Sequence, residues 1–180
     1  ISQFMNMPNA FTNKTFSPSD EAHYLIRPIQ SDDRERIIEL FNHLSPESRY
    51  LRFAHAISKL PDDFLDDILD LDYKKEMALL AVMSNPAGAE EVIGIARYVT
   101  PPNQNVCEFS LSVSDSHTAH GVGTHLMLDL IEHAKENGIQ EMLGYVLSKN
   151  SRMLNLVSDL GFQITSMNDD PDFQTVSLLL

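Results

Sequence analysis

Residues 106–148 constrain the fold more tightly than any other part of the chain. They begin with VCEFSLSV, where Cys107, Phe109, Leu111 and Val113 alternate with Glu108, Ser110 and Ser112. That period of two predicts a strand with one buried face. THLMLDLIEHAKENG then follows with a helical stripe of Leu126, Met127, Leu130, Ile131 and Ala134, closed by Asn137-Gly138. The apolar EMLGYVLS reads as a second strand. A strand, a helix and a strand in this order predict a parallel crossover, because parallel neighbours need a long connection.

Between the first strand and the helix lies HTAHGVGTHL, residues 117–126. It holds two of the seven glycines, Gly121 and Gly123, one residue apart. A turn of this kind aims backbone N–H groups at whatever lies before the helix, and so suits an anion. It does not match the phosphate loop, which needs a following Lys and Ser or Thr. It also lacks the third glycine of the dinucleotide fingerprint, since residue 126 is Leu. Residues 116–128 contain no Asp or Glu in a chain with 26 of them. First helical turns ordinarily attract acids, so the vacancy fits a bound anion.

The rest of the chain supplies a mixed framework. HYLIRPI (residues 23–29) reads as a strand, and SDDRERIIELFNHL as a helix capped by Ser31 or Asp32 with Ile37, Ile38, Phe41 and Leu44 inward. SPESRYLRF starts a further helix, with Ser45 as cap and Pro46 at its first position. LPDDFLDDILDLD is a third, with Phe64, Leu65, Ile68 and Leu71 inward and six aspartates outward. Residues 77–84 and 92–99 form a hairpin around NPAGAEE. NSRMLNLVSDLGF closes on Gly161, and FQTVSLLL is a last strand. The order βααα-βββ-α-β-α-β gives an α+β (mixed α/β) domain with a central, largely antiparallel sheet.

Several of these segments, in this order, carry a family resemblance. VCEFSLSVSDSHTAHGVGTHLMLDLIEHAKENGI and GYVLSKNSRMLNLVSDLGF resemble the acyl-CoA motif and the following strand and helix of the GNAT family of N-acetyltransferases. Upstream, IRPI, LSPESRYLRF, DYKKEMALLAV and VIGIARYV are similar to the acetyltransferase domain of bacterial protein-lysine acetyltransferases. The resemblance implies a GNAT fold and an enzyme that moves an acetyl group from acetyl-CoA to a primary amine, by direct attack in a ternary complex. The acceptor would be a protein lysine or a small cationic amine. The alternative is a non-catalytic acyl-CoA sensor or regulatory domain. Pairing of two such domains is also expected.

Residue by residue, the resemblance assigns general base to Glu108, in CEF; facing solvent or pairing with Arg97 is the competing reading. Backbone at Leu111, Ser112 and Val113 would meet the thioester carbonyl and pantetheine arm. Ala119, His120, Gly121, Val122, Gly123 and Thr124 would hold the pyrophosphate. Asn150 would both cap its helix and lie beside the pantetheine, with Lys149 and Arg152 near phosphate. The chain departs from the motif at Thr118, where Gln or Arg is usual, and at Val157, where a leaving-group tyrosine is usual. Tyr145 and Tyr98 are candidate substitutes; packing roles compete for both. The cradle would therefore depend on backbone N–H groups.

Composition narrows the partners. A formal net charge of -13 disfavours nucleic acid and anionic membrane, both of which attract basic faces. The acidic helix around residues 61–72 suits a cationic acceptor or simply a solvated face. Cys107 is the single cysteine, so no internal disulfide forms, and a cytoplasmic setting is expected. On the apolar face, with no neighbouring His, it reads as a structural thiol. His125, Asp129 and His133 recur every four residues, compatible with a metal. The simpler reading makes them the wet side of the helix, and no metal is expected. Residues 1–20 lack signal-peptide regions and read as a flexible arm ahead of a single domain at 21–180.

Overall fold

The hairpin of residues 76–99 is the spine of the sheet. In a computed structural model, which describes residues 14–19, 22–45, 62–84, 86–116, 121–167 and 169–180, it forms β3 (Glu76–Ser84) and β4 (Glu90–Val99). β3 is buried along nearly its whole length, as its unbroken apolar run requires. On one side lie β2 (Ala22–Pro28) and the edge strand β1 (Lys14–Ser19); on the other lies β5 (Val106–Val113). The sheet continues through β6 (Glu141–Leu147), β7 (Gln163–Ser166) and β8 (Phe173–Leu179), in the order β1-β2-β3-β4-β5-β6-β8-β7. Every described pairing is antiparallel except β5 with β6. The expected mixed sheet with a parallel crossover is therefore present. β1 and β7 are strands that composition did not suggest, and β1 falls inside residues 1–20. The helix expected from Ser45 onward lies outside the described residues.

Helices cover the two faces separately. α1 (Arg34–His43) and α2 (Asp62–Leu69) lie on one face. Ile37, Leu40 and Phe41 from α1, with Leu65 and Ile68 from α2, pack there on Ala78, Leu80 and Val82. Of the expected inward residues on α2, Leu65, Ile68 and the following Leu71 are buried; the Phe64 side chain lies outside the described ones. α3 (Val122–Glu136) and α4 (Ser151–Asp159) take the other face. Val122, Leu126, Leu130 and Val157 pack there on Tyr98, Phe109 and Leu111.

α1 does not start on Ser31 or Asp32, as its sequence suggested. Ser31–Asp33 form a short 3-10 turn, and Asp33 is the organising acid. Its carboxylate, fully buried, accepts from the Gln30 backbone N–H (2.7 Å), from both Arg27 terminal nitrogens (2.8 Å each) and from Arg36 (3.0 Å). Burial opposes its ionisation, but Arg27 and the Gln30 N–H outweigh that and hold the carboxyl below its usual range. A carboxylate with an arginine partner behind it wins over a bare cap at Ser31 because burial strengthens the charge-assisted bonds.

The β5–β6 pairing is unusually short. It covers only Val106↔Glu141, Cys107↔Met142 and Glu108↔Leu143, whereas β5 pairs with β4 from Glu108 to Val113 and β6 pairs with β8 along its full length. The sheet thus splits beyond Glu108 into two lobes. Phe109 sits at the base of the split. A Cβ added at Gly144 would lie 2.4 Å from the Phe109 ring, so the ring occupies the space a side chain would take. Phe109 also meets Phe162 edge-on, with centroids 5.3 Å apart.

Candidate active site

The split opens at the carboxyl ends of two parallel strands, the position where open α/β sheets place ligands. Beyond Glu108 its β5 wall has no described β6 partner. Ser114 N donates to Ile93 O (2.8 Å), which makes 112/95, 110/97 and 108/99 the hydrogen-bonded pairs of the β4–β5 ladder. By the alternation of such a ladder, Phe109, Leu111 and Val113 turn their N–H and C=O groups toward the gap. Ser112 turns its own toward β4. Leu111 is buried, and buried backbone groups require partners. Among the described residues β6 pairs with β5 no further than Glu108.

The loop after β5 is tied down before it reaches the glycines. Asp115 accepts from the Ser45 backbone N–H (2.6 Å), and the hydroxyls of Ser114 and Ser116 lie 3.1 Å apart. Thr118, Ala119 and His120 lie outside the described residues. Gly121 then adopts φ 74°, ψ 10°, a left-handed conformation that glycine alone adopts without cost, and it forms the N-cap of α3. The N-cap Gly121 has no side chain to cap it, and no acid stands in the first turn. The N–H groups of Val122, Gly123 and Thr124 have no intrahelical acceptor and aim out of the helix end. Gly123 also has a packing task. A Cβ there would lie 2.9 Å from Leu156 Cδ1 and 3.4 Å from Leu111 Cδ2, so its bareness seats α3 against β5 and α4.

Across the split, Asn150 accepts from Met153 N (3.2 Å) and is the N-cap of α4. The cap uses only the side-chain oxygen. Glu108 stands on the other face of the sheet from α3, exposed, at the last β5 position paired with β6. The ion pair of Arg97 is with Glu76, at 3.8 Å. Gly123 thus sets the start of α3 beside Leu111 and Val113 of β5 and Leu156 of α4, while Glu108 stands on the opposite face and Asn150 at the start of α4.

The remaining chemistry-bearing residues stand elsewhere. Cys107 is buried, and burial pushes its thiol up to about 12, so it stays protonated and is no nucleophile. Val157 is fully buried in the core. Tyr98 is equally buried, with its hydroxyl on His133 Nδ1 at 2.7 Å.

That last contact corrects the reading of α3. His125, Asp129 and His133 are not its wet side: Asp129 is 5% exposed and His133 4%. The Tyr24 hydroxyl of β2 bonds His125 Nδ1, as Tyr98 of β4 bonds His133. α3 is pressed onto the sheet over more than one stripe, and the buried tyrosine hydroxyls need acceptors. Among the described residues no three His, Cys, Asp or Glu side chains gather as a metal site.

These buried groups define a pH window. Burial lowers the pKa of both histidines below 6.5. The unfolded chain then binds more protons, so stability falls as pH drops below about 6.5. It falls again below about 4, where Asp33 is protonated in the unfolded state first. At the alkaline end Cys107 and Tyr24 are each raised to about 12 by burial; the unfolded chain ionises first, and stability falls above about 9. Urea midpoints should therefore plateau between about pH 7 and 9. A midpoint that rises steadily from pH 7 to 5 would contradict the buried-histidine account.

Comparison with known proteins gives the family and the fold. The acetyltransferase (GNAT) family model matches residues 37–162, and the chain belongs to that family. An acetyltransferase of Pseudomonas aeruginosa is 35% identical over 146 residues, covering 81% of this chain and 78% of that protein. The GNAT domain of S. lividans PAT superposes with a TM-score of 0.82 at 25% identity, covering 93% of this chain and 97% of that one. A Salmonella typhimurium protein solved with its cofactor acetyl-CoA shares the fold, with a TM-score of 0.65 at 21% identity over 87% of this chain and 92% of its own. Among the described residues no helix is long and apolar enough to cross a membrane.

Two features of the site escaped sequence reasoning: the β5–β6 split and the packing task of Gly123. Gly144, a glycine in mid-strand, was the available signal for the first.

Proposed function

We propose that this chain transfers the acetyl group of acetyl-CoA to a primary amine, a protein lysine or a small cationic amine, by direct attack in a ternary complex. The observation that carries the reading is the split sheet. One wall is β5 backbone at Leu111 and Val113 with no described β6 partner, and α3, with Gly121 as its N-cap, starts against those two residues. A pantetheine arm carries amides that could complete the open strand edge, and a pyrophosphate suits the helix N-terminus. The related protein solved with acetyl-CoA has the same fold.

The chemistry follows from the residues around the opening. A lysine-type ammonium (pKa about 10.4) has no lone pair until it loses a proton. Glu108 takes that proton, directly or through a water. The nitrogen attacks the thioester carbonyl, and the oxyanion accepts from backbone N–H of β5. The C–S bond then breaks, and the nitrogen sheds its second proton to water as the amide forms. With Val157 where a tyrosine hydroxyl is usual, the sulfur departs as thiolate, feasible for a thiol with pKa near about 8.5. The buried, protonated Cys107 leaves no acyl-enzyme route through a thiol.

Calorimetric titration with acetyl-CoA tests the cradle. One site per chain is expected, and Gly121→Val should weaken it at least about tenfold, since a β-branched residue resists positive φ. Absence of binding to the unsubstituted chain would refute the proposal. Binding without turnover on any amine would favour the sensor reading.

A further inference from the structure

We propose that Tyr145 is the specificity-determining wall of the acceptor site, its ring lying over the alkylammonium chain of a cationic amine. This rests on the acetyl-transfer reading above. Register puts Tyr145 there: Glu108 pairs with Leu143, and Tyr145 is the next β6 residue on the same face. A step of this kind separates Cβ atoms by about 7–8 Å in a regular sheet, and the parting of β5 and β6 begins here. Tyr145 therefore stands on the β6 wall of the split, opposite the stretch of β5 between Glu108 and Leu111. It shares the face of Glu108, away from α3.

Its exposure needs an explanation. Tyr145 is 50% exposed in mid-strand, and its cross-strand neighbours are Thr175 on β8 and, through it, Thr165 on β7. On this face the described helices α1 and α2 pack over β3 and β4, so they do not shelter it. A tyrosine ring presents a negative π-face that attracts ammonium groups and also covers methylenes. Glu141, four residues back on the same face of β6, adds negative charge at the near end of the strand and is oriented by the Ser177 hydroxyl at 2.7 Å. A cationic acceptor fits this wall; an anionic one does not.

The hydroxyl and the ring can be separated. Kinetics of Tyr145→Phe and Tyr145→Leu should be measured with acetyl-CoA, a lysine peptide and a neutral hydroxylamine-type acceptor. The expected result is Phe within about threefold of the unsubstituted chain, and Leu with KM for the lysine peptide raised about tenfold. In the Leu variant kcat and the acetyl-CoA dissociation constant stay within about threefold, and the neutral acceptor is unaffected. Melting temperatures report on folding of both variants. A Leu variant with unchanged KM overturns the proposal. So does a Phe variant whose kcat alone collapses, which would make the hydroxyl a proton donor to the leaving thiolate. No turnover by the unsubstituted chain on any amine overturns the transfer reading itself, and this proposal with it.

Discussion

Glu108→Gln lowers kcat by about 10²–10⁴-fold at neutral pH, the range lost with a positioned general base. The dissociation constant for acetyl-CoA stays within about twofold, because Glu108 stands on the far face of the sheet from the α3 N-terminus. Glutamine keeps the size and the exposed strand position, so folding is preserved. The deficit shrinks as pH rises toward about 10, where the acceptor loses its proton unaided. Steady-state kinetics across pH 7–10 check all three statements. Unchanged turnover would remove Glu108 from the mechanism. A large rise in the acetyl-CoA dissociation constant would instead assign it to binding.

Asp33→Ala costs about 3–5 kcal/mol of stability, the range for removing one partner of a buried ion pair. The effect is large because Arg27 keeps its place: its side chain is 5% exposed and Asp33 is wholly buried. Without the carboxylate, Arg27 retains only Glu90 at 3.4 Å, itself 40% exposed, and the Pro28 carbonyl at 3.1 Å. The Gln30 N–H and Arg36 lose an acceptor as well. Against a total of about 5–15 kcal/mol, this brings the fold close to failure. Urea denaturation measures it. A loss below about 1 kcal/mol would mean that water or Glu90 satisfies Arg27, and that the pair does not organise the start of α1.

Much of the fold was legible because the relevant signals are local. Alternation in residues 106–113, the glycine turn, the Asn137-Gly138 stop and the Asn150 cap lie within one or two turns of the groups they control. The α+β order and the parallel crossover follow from them. What escaped depends on distant partners. The His125–Asp129–His133 face reads as polar and wet until Tyr24, 101 residues away, and Tyr98, 35 residues away, are brought against it. β7 has no buried face to betray it: all four residues are exposed. β1 lies in an Asn/Ser/Pro/Thr-rich stretch and is held by pairing with β2 through an irregular register. The sequence named candidate residues but not the shape around them. Its defining feature, β5 leaving β6 after Glu108, comes from the relative course of two strands and from Phe109 lodged over Gly144.

The central claim is acetyl transfer to an amine at the split between β5 and β6. Its most direct measurement is release of free CoA thiol from acetyl-CoA in the presence of lysine peptides and small polyamines, with the acetylated product weighed by mass spectrometry. The account predicts thiol and N-acetylated amine in equal amounts, both dependent on Glu108. Acetyl-CoA bound at the site, with no thiol released above the protein-free rate for any amine, would contradict it.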